Sequence, residues 1–71
     1  MLVLGRKFEQ TINILTPSGE LIEIRIIPPP TGIPNQSDVR IAIKADRDVI
    51  IERGELFGRP GGSEIAKRVM Q

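Results

Sequence analysis

The side chains of this chain that could do chemistry are its hydroxyls, carboxylates and cationic groups, because it contains no Cys and no His. A hydrolytic triad needs a nucleophile, a base and an orienting acid, and none of the Ser residues lies in a G-x-S-x-G pattern. Asp46 and Asp48 form a carboxylate pair, but they flank a predicted turn, where a solvated role is favoured. The segment Gly61-Gly62-Ser63 lacks the Lys and the spacing of a phosphate-binding loop. We therefore expect no enzymatic activity, no cofactor and no metal site.

The cationic groups are better candidates for function. The formal net charge is only +1, which argues against a charge-driven, non-specific binder of nucleic acid. Residues 1–7 nevertheless contain Arg6 and Lys7 and no acid, which makes the start of the chain locally basic. Recognition by charge must therefore depend on where the charges lie and not on their sum.

The length of 71 residues allows one domain, and a domain this small is often only marginally stable alone. Without Cys or His, disulfides and the common soft metal ligands are excluded as stabilisers. Oligomerisation remains, so we predict a homodimer. No apolar run is long enough to span a membrane, and the apolar start is too short for a signal peptide. We expect a cytoplasmic protein with no membrane partner.

The pattern before residue 54 is that of a β protein. Apolar and polar residues alternate in segments rich in β-branched side chains, as in half-buried strands. Pro17, Ser18 and Gly19 predict a turn, with Gly19 at a position of positive φ. The five predicted strands are residues 1–7, 11–16, 20–27, 38–45 and 49–53.

The C-terminal part of the chain predicts short helical structure. A helical turn after the last strand should stop at Gly58 and Pro60. Ser63 is placed to cap a short helix that continues to the end of the chain. Because about nine residues are too few for a stable isolated helix, this segment is either a frayed tail or a docked helix.

One loop interrupts the strands. Residues 28–37 include three consecutive prolines, which cannot donate to a strand ladder, so a mobile, polyproline-like loop is expected. We therefore predict one domain over residues 1–57 that contains this loop, followed by a flexible or short helical tail over residues 58–71.

Four segments of the chain form a pattern in order and spacing: MLVLGRK at residues 1–7, TINI at 11–14, VRIAI at 39–43 and ADRDVIIER at 45–53. Together they resemble the carbon storage regulator (CsrA/RsmA) family. The opening MLVLGRK resembles the family's MLILTRK start, and TINI at residues 11–14 looks like its second strand. VRIAI at residues 39–43 resembles its VRIGI strand, and ADRDVIIER at residues 45–53 resembles its APKDVAVHR segment. Order and spacing agree over most of residues 1–56. The chain departs from the family pattern at several positions, which include Glu9, Gln10, Asp46, Glu52 and Gly54.

This resemblance implies a mainly β fold of about five short antiparallel strands and a weak C-terminal helix, in an intertwined homodimer. The first strand of one chain would lie beside the last strand of the other. It also implies a post-transcriptional regulator that binds GGA motifs in single-stranded or hairpin-loop mRNA and represses translation. By position, the RNA-binding residues would be Leu4, Arg6, Lys7, Ile51, Arg53 and Leu56. Guanidinium planes suit this role, because they stack on bases and pair with phosphates.

Each of these residues also has an ordinary structural explanation. Leu4 could belong to the core, Arg6 and Lys7 could form a solvated strand end, and Arg53 could pair with Glu55. A second functional hypothesis is a CsrA-like dimeric protein-interaction module with weak or lost RNA binding. In that module the proline loop or the tail would bind a protein. A protein antagonist is a further possible partner, which the sequence does not name. Titration with a GGA hairpin and a scrambled control distinguishes the two functions.

Overall fold

The computed structural model describes residues 1–29 and 39–69 and shows a mainly β fold. Its five short strands pair antiparallel and are followed by a 3-10 helix, η1, and an α-helix, α1. The elements are β1 (Leu2–Arg6), β2 (Thr11–Leu15), β3 (Leu21–Arg25), β4 (Val39–Ile43), β5 (Ile50–Arg53), η1 (Gly54–Gly58) and α1 (Glu64–Val69). The predicted mainly β architecture of five short antiparallel strands and a C-terminal helix is confirmed, while the homodimer stays a prediction. Every strand lies inside a segment predicted from the alternation. The helical turn η1 ends at Gly58, as predicted.

The strands form two separate sheets. In the first sheet β1 pairs with β4, which places Leu4 opposite Ile41. In the second sheet β2 is central between β3 and β5, and Ile14 lies opposite both Ile22 and Ile51. Among the described strands only β2 is paired on both sides, so β1, β3, β4 and β5 each have one edge to which no other described strand is hydrogen-bonded.

Two tight turns connect the first three strands. Between β2 and β3 the N–H of Gly19 donates to the carbonyl of Thr16 at 2.9 Å, and Gly19 has the predicted positive φ, 91°. Between β1 and β2 the residue with positive φ is Glu9, at 71°. Its N–H donates to the carbonyl of Ile26 at 2.7 Å, which joins this turn to the end of β3. The first turn is therefore made without Gly, in a conformation that is unfavourable for a residue with a Cβ.

The hydrophobic core of a single chain is small. In the described part of the chain, the buried hydrophobic residues are Leu4, Ile12, Leu15 and Ile65. Large hydrophobic side chains that remain exposed are Met1, Leu2, Val3, Leu21, Ile22, Ile27, Phe57 and Val69. The radius of gyration is 13.5 Å, whereas a compact domain of this length would have about 11 Å. The chain is elongated and leaves apolar surface exposed to solvent.

Helix α1 is docked on the three-stranded sheet, where it contacts β2 and β5. Ile65 is fully buried there. The Ser63 hydroxyl accepts the N–H of Ala66 at 2.9 Å, as expected of the predicted cap, and donates to the carboxylate of Glu52 at 2.6 Å. The same carboxylate accepts the N–H of Glu64 at 2.7 Å. Of the two alternatives for this segment, the structure shows the docked helix.

Some predictions fall outside these observations. Most of the proline-rich loop predicted over residues 28–37 lies outside the described residues. The division of the chain at residue 57 stays a prediction. Over residues 1–29 and 39–69, no helix is long and apolar enough to cross a membrane.

Candidate nucleic-acid interface

Strand β1 and the residue after it carry three of the six predicted contact residues. Leu4 and Arg6 are both buried, whereas Val3, which precedes Leu4, and Gly5, which lies between the two, are exposed. The two residues therefore share a face of the strand, as their spacing predicted. Lys7 follows the strand and is exposed, so its ammonium group is accessible in the single chain.

The Arg6 guanidinium is held inside the chain by four hydrogen bonds. Its Nη1 and Nη2 donate to the two carboxylate oxygens of Glu55 at 2.8 and 3.0 Å, a bidentate ion pair. Nη1 also donates to the carbonyl of Thr11 at 3.1 Å, and Nε donates to the carbonyl of Gly5 at 2.9 Å. A guanidinium carries five N–H groups, and these hydrogen bonds use four of them. Arg6 thereby connects β1 to the start of β2 and to η1.

Arg6 is consequently not a residue of a solvated strand end. Only 3% of its surface is exposed. The expectation of a solvated Arg6 is wrong, because its charge is neutralised by a carboxylate 49 residues away in sequence. The alternative pairing of Arg53 with Glu55 is also wrong, since Arg6 binds both oxygens of that carboxylate. A contact between Arg6 and RNA stays a prediction.

This ion pair shifts the pKa values of both partners. The hydrogen bonds from Arg6, followed by one from the backbone, lower the pKa of Glu55 from 4.5 to about 2. The hydrogen bond to Glu55 raises the pKa of Arg6, and it outweighs the burial that acts to lower it. Both groups are therefore ionised at neutral pH.

Strand β5 and η1 carry the other three predicted contact residues. Ile51 is half-buried and Arg53 is exposed, and the alternation of the strand places them on one face. Leu56 is half-buried in η1. In the segments that the structure describes, Arg53 forms no ion pair. Its guanidinium is therefore available to a ligand.

Glu52 is next to Arg53 in sequence, but its carboxylate lies on the opposite face of the sheet. There it accepts hydrogen bonds from the Ser63 hydroxyl and from the N–H groups of Glu64, at 2.7 Å, and Ile65, at 3.3 Å. Three donors at the start of α1 thus satisfy this negative charge. The charge is directed away from the face that carries Arg53.

Gly54 permits the close approach of η1 to β2. A Cβ at this position would overlap the hydroxyl of Thr11 and lie 3.2 Å from its carbonyl oxygen. That carbonyl is also an acceptor for Arg6. The absence of a side chain at Gly54 therefore allows η1 to bring Glu55 within reach of Arg6.

The structure brings together only part of the predicted site. Within one chain β1 and β5 belong to different sheets, so Leu4 and Arg6 are not on a strand adjacent to Ile51 and Arg53. Sequence reasoning also missed Glu55 as the partner of Arg6. The opposite charges were visible in the sequence, but nothing local to either residue indicated that they meet.

Comparison with known proteins assigns the chain to a family. The model of the CsrA family, described as a global regulator protein family, matches residues 1–60. The chain belongs to the CsrA family. The match covers both strands that carry the predicted contacts and ends before α1. No curated protein and no solved structure matches the chain.

CsrA-family proteins are RNA-binding regulators and not enzymes. Among the six predicted contact residues, the exposed cations Lys7 and Arg53 and the half-buried apolar residues Ile51 and Leu56 are not enclosed in the core of the single chain. Cations attract phosphates, and a guanidinium can also stack on an unpaired base. Among the residues that the structure describes, no group of three or more His, Cys, Asp or Glu could hold a metal ion.

Proposed function

We propose that this CsrA-family chain acts as a homodimer that binds GGA motifs in mRNA hairpin loops and represses translation. The observation that carries the proposal is the pair of free edges on β1 and β5, the two strands with most of the predicted contact residues. The family match over residues 1–60 supplies RNA as the class of ligand.

The free edges suggest how two chains assemble. If β1 of one chain pairs with β5 of another, a two-stranded and a three-stranded sheet combine into one sheet of order β4-β1-β5-β2-β3. Two-fold symmetry then forms two such sheets and pairs the open edges of β1 and β5 in both chains, four edges in all. Unpaired edges of this kind can otherwise pair with strands of other molecules and cause aggregation. The small single-chain core, the exposed Leu2 and Val3 and the elongated shape support this assembly.

The same assembly builds the proposed RNA site from both chains. Leu4 and Lys7 of one chain would lie near Ile51 and Arg53 of the partner subunit. In this arrangement Lys7 and Arg53 contact the RNA, while the half-buried Ile51 and Leu56 form an apolar floor for bases that the buried Leu4 supports from below. Sequence-specific readers commonly bind unpaired loop bases in this way, with cations on the phosphates.

Arg6 has a mixed role in this proposal. Its four hydrogen bonds within the chain hold the start of β2 and η1 beside β1. One N–H on Nη2 remains available for an RNA acceptor. Arg6 therefore positions the site first and contacts RNA through that single group.

The test is a titration with a GGA hairpin and a hairpin of scrambled loop sequence. Arg53→Ala should weaken binding of the GGA hairpin by about 1–3 kcal/mol, the range of a good charge-assisted contact. Arg25→Ala is the matched control, because Arg25 is an exposed β3 residue already paired with Glu23 at 3.3 Å. This control should change binding only slightly. Equal binding of both RNAs by the wild type would reject GGA recognition and favour the protein-interaction module.

The dimer has its own test. Light scattering at micromolar concentration should give about twice the chain mass of 7.9 kDa. A stable folded monomer would remove the shared site, because β1 and β5 of one chain belong to different sheets.

A further inference from the structure

A second cationic surface lies between η1 and α1, at the end of the family match and beyond it. It is a cleft of about 290 Å³ whose lining includes Phe57, Arg59, Pro60, Ala66 and Lys67. None of these five residues is among the predicted RNA contacts. The cleft is open to solvent and combines an aromatic ring with two cations.

The charge of this cleft is uniformly positive. Among the residues that the structure describes, no carboxylate lines it. Over the described ranges, Arg59 and Lys67 form no ion pair, and both are exposed. The acid at the first position of α1, Glu64, is paired with Arg68 at 3.3 Å. The two cations of the cleft are therefore available to an anionic ligand.

The apolar part of the cleft suits a planar ring. Phe57 has 36% of its surface exposed and is one of only two aromatic residues in the chain. Proteins that bind single-stranded RNA stack bases on such side chains and hold the backbone with neighbouring cations. Pockets for drug-sized ligands occupy roughly 300–1,000 Å³. The cleft volume of about 290 Å³ lies just below this range, so it fits a single nucleotide better than a larger ligand.

Both walls of the cleft are fixed by hydrogen bonds. On one side the N–H of Arg59 donates to the carbonyl of Leu56 at 3.1 Å, and the N–H of Gly62 donates to the carbonyl of Arg59 at 2.9 Å. On the other side the Glu52 carboxylate binds Ser63 at the start of α1. Lys67 is thereby held on a docked helix opposite Phe57, so a ligand would not have to order the tail.

We propose that this cleft binds one nucleotide of single-stranded RNA that flanks the hairpin held at the shared site. The base lies against Phe57, and the adjoining phosphates lie at Arg59 and Lys67. The inference rests on the proposed function and extends it from the hairpin loop to the sequence beside the stem. The chain would then bind a hairpin with a single-stranded flank more tightly than the hairpin alone.

The experiment compares a blunt GGA hairpin with the same hairpin carrying a single-stranded tail on its 5′ or 3′ end. One of the two tailed RNAs should bind the wild type at least about fivefold more tightly than the blunt hairpin, the lower end of the range for one stacked base. Phe57→Leu, Arg59→Gln and Lys67→Gln should each reduce this gain and leave binding of the blunt hairpin unchanged within about twofold. Arg25→Gln, which removes an equal charge from β3, should keep the gain.

Salt dependence separates stacking from charge. Arg59→Gln and Lys67→Gln should each lower the salt slope for the tailed RNA by about 0.7, the value for one phosphate contact on a single strand, whereas Phe57→Leu should not. Circular dichroism melts verify that the variants are folded.

The outcomes distinguish the inference from the proposed function. If the wild type prefers GGA but neither tail adds affinity, or if the cleft variants weaken both RNAs equally, the cleft does not bind flanking RNA and the hairpin function stands. If the wild type shows no preference for GGA over a scrambled loop, both proposals fail. Poly-glutamate is titrated as a model of an acidic protein segment. If the wild type binds it, the cleft variants do not, and neither RNA tail adds affinity, the cleft binds acidic protein segments and not RNA.

Discussion

Replacing Glu55 with Gln should destabilise the protein, because it removes the charge that neutralises buried Arg6. The ion pair is bidentate, with distances of 2.8 and 3.0 Å, and the side chain of Arg6 is only 4% exposed. Gln keeps the size and one acceptor oxygen of Glu. The variant therefore measures the charge of Glu55 more than its packing.

The magnitude follows from the pKa of Glu55. A fall from 4.5 to about 2, at about 1.4 kcal/mol per pKa unit, sets an upper limit of about 3.5 kcal/mol. The side chain of Glu55 is 42% exposed, so water screens part of this interaction. We expect Glu55→Gln to lower the free energy of unfolding by about 1–2 kcal/mol at neutral pH.

The pH dependence has a defined sign. Because the pKa of Glu55 is lower in the folded state, its stabilisation is fully present above the unfolded value of 4.5 and is lost as the pH falls through about 2. The difference between wild type and Glu55→Gln should therefore be constant near neutral pH and shrink in acid. The assay is urea unfolding at several pH values and one fixed protein concentration, since dimer stability depends on concentration.

Glu64→Gln is the matched control for this prediction. Glu64 pairs with Arg68 at 3.3 Å, and both side chains are at least half exposed. This exposed pair should contribute only about 0.3–0.5 kcal/mol. If Glu55→Gln is no more destabilising than Glu64→Gln, or if its effect persists unchanged at low pH, Arg6 does not depend on Glu55.

Three further substitutions test the local structure. Glu52→Ala should release α1, because three hydrogen bonds to the start of the helix are lost. The rate of amide hydrogen exchange in α1 should then rise about tenfold or more. An unchanged exchange rate would mean that apolar packing alone holds the helix. Glu9→Gly should raise the free energy of unfolding by about 0.5–1 kcal/mol by relieving the positive φ, and a lower midpoint in urea would contradict this. Gly54→Ala should cost about 1–3 kcal/mol through overlap with Thr11. Gly5→Ala, with no atom within 4 Å of the added Cβ, is its control, and equal effects of the two would refute the close approach.

The strands and turns of this chain were predictable because their signals are local. Alternation with a period of two located all five strands, since successive side chains of a strand point to opposite faces. Gly19 marked a turn because Gly adopts positive φ without steric cost. Ser63 marked the start of α1 because its hydroxyl accepts a free N–H of the first turn.

The state of the tail could not be decided in this way. A short helix is stable only when other parts of the chain bury one of its faces. Here that depends on the burial of Ile65 against the sheet and on Glu52, a residue of β5. In the sequence Glu52 was noticeable only as a departure from the family pattern. In the structure it is directed to the other face of the sheet and holds α1.

By itself, the sequence determined the types of the candidate contact residues, their strands and the face that Leu4 shares with Arg6. It also carried the family pattern that residues 1–60 match. Only the tertiary structure decided that Arg6 is buried against Glu55 while Arg53 stays exposed. The physical reason is that alternation depends on neighbouring residues alone, whereas ion pairing and burial depend on distances in space between residues far apart in the chain.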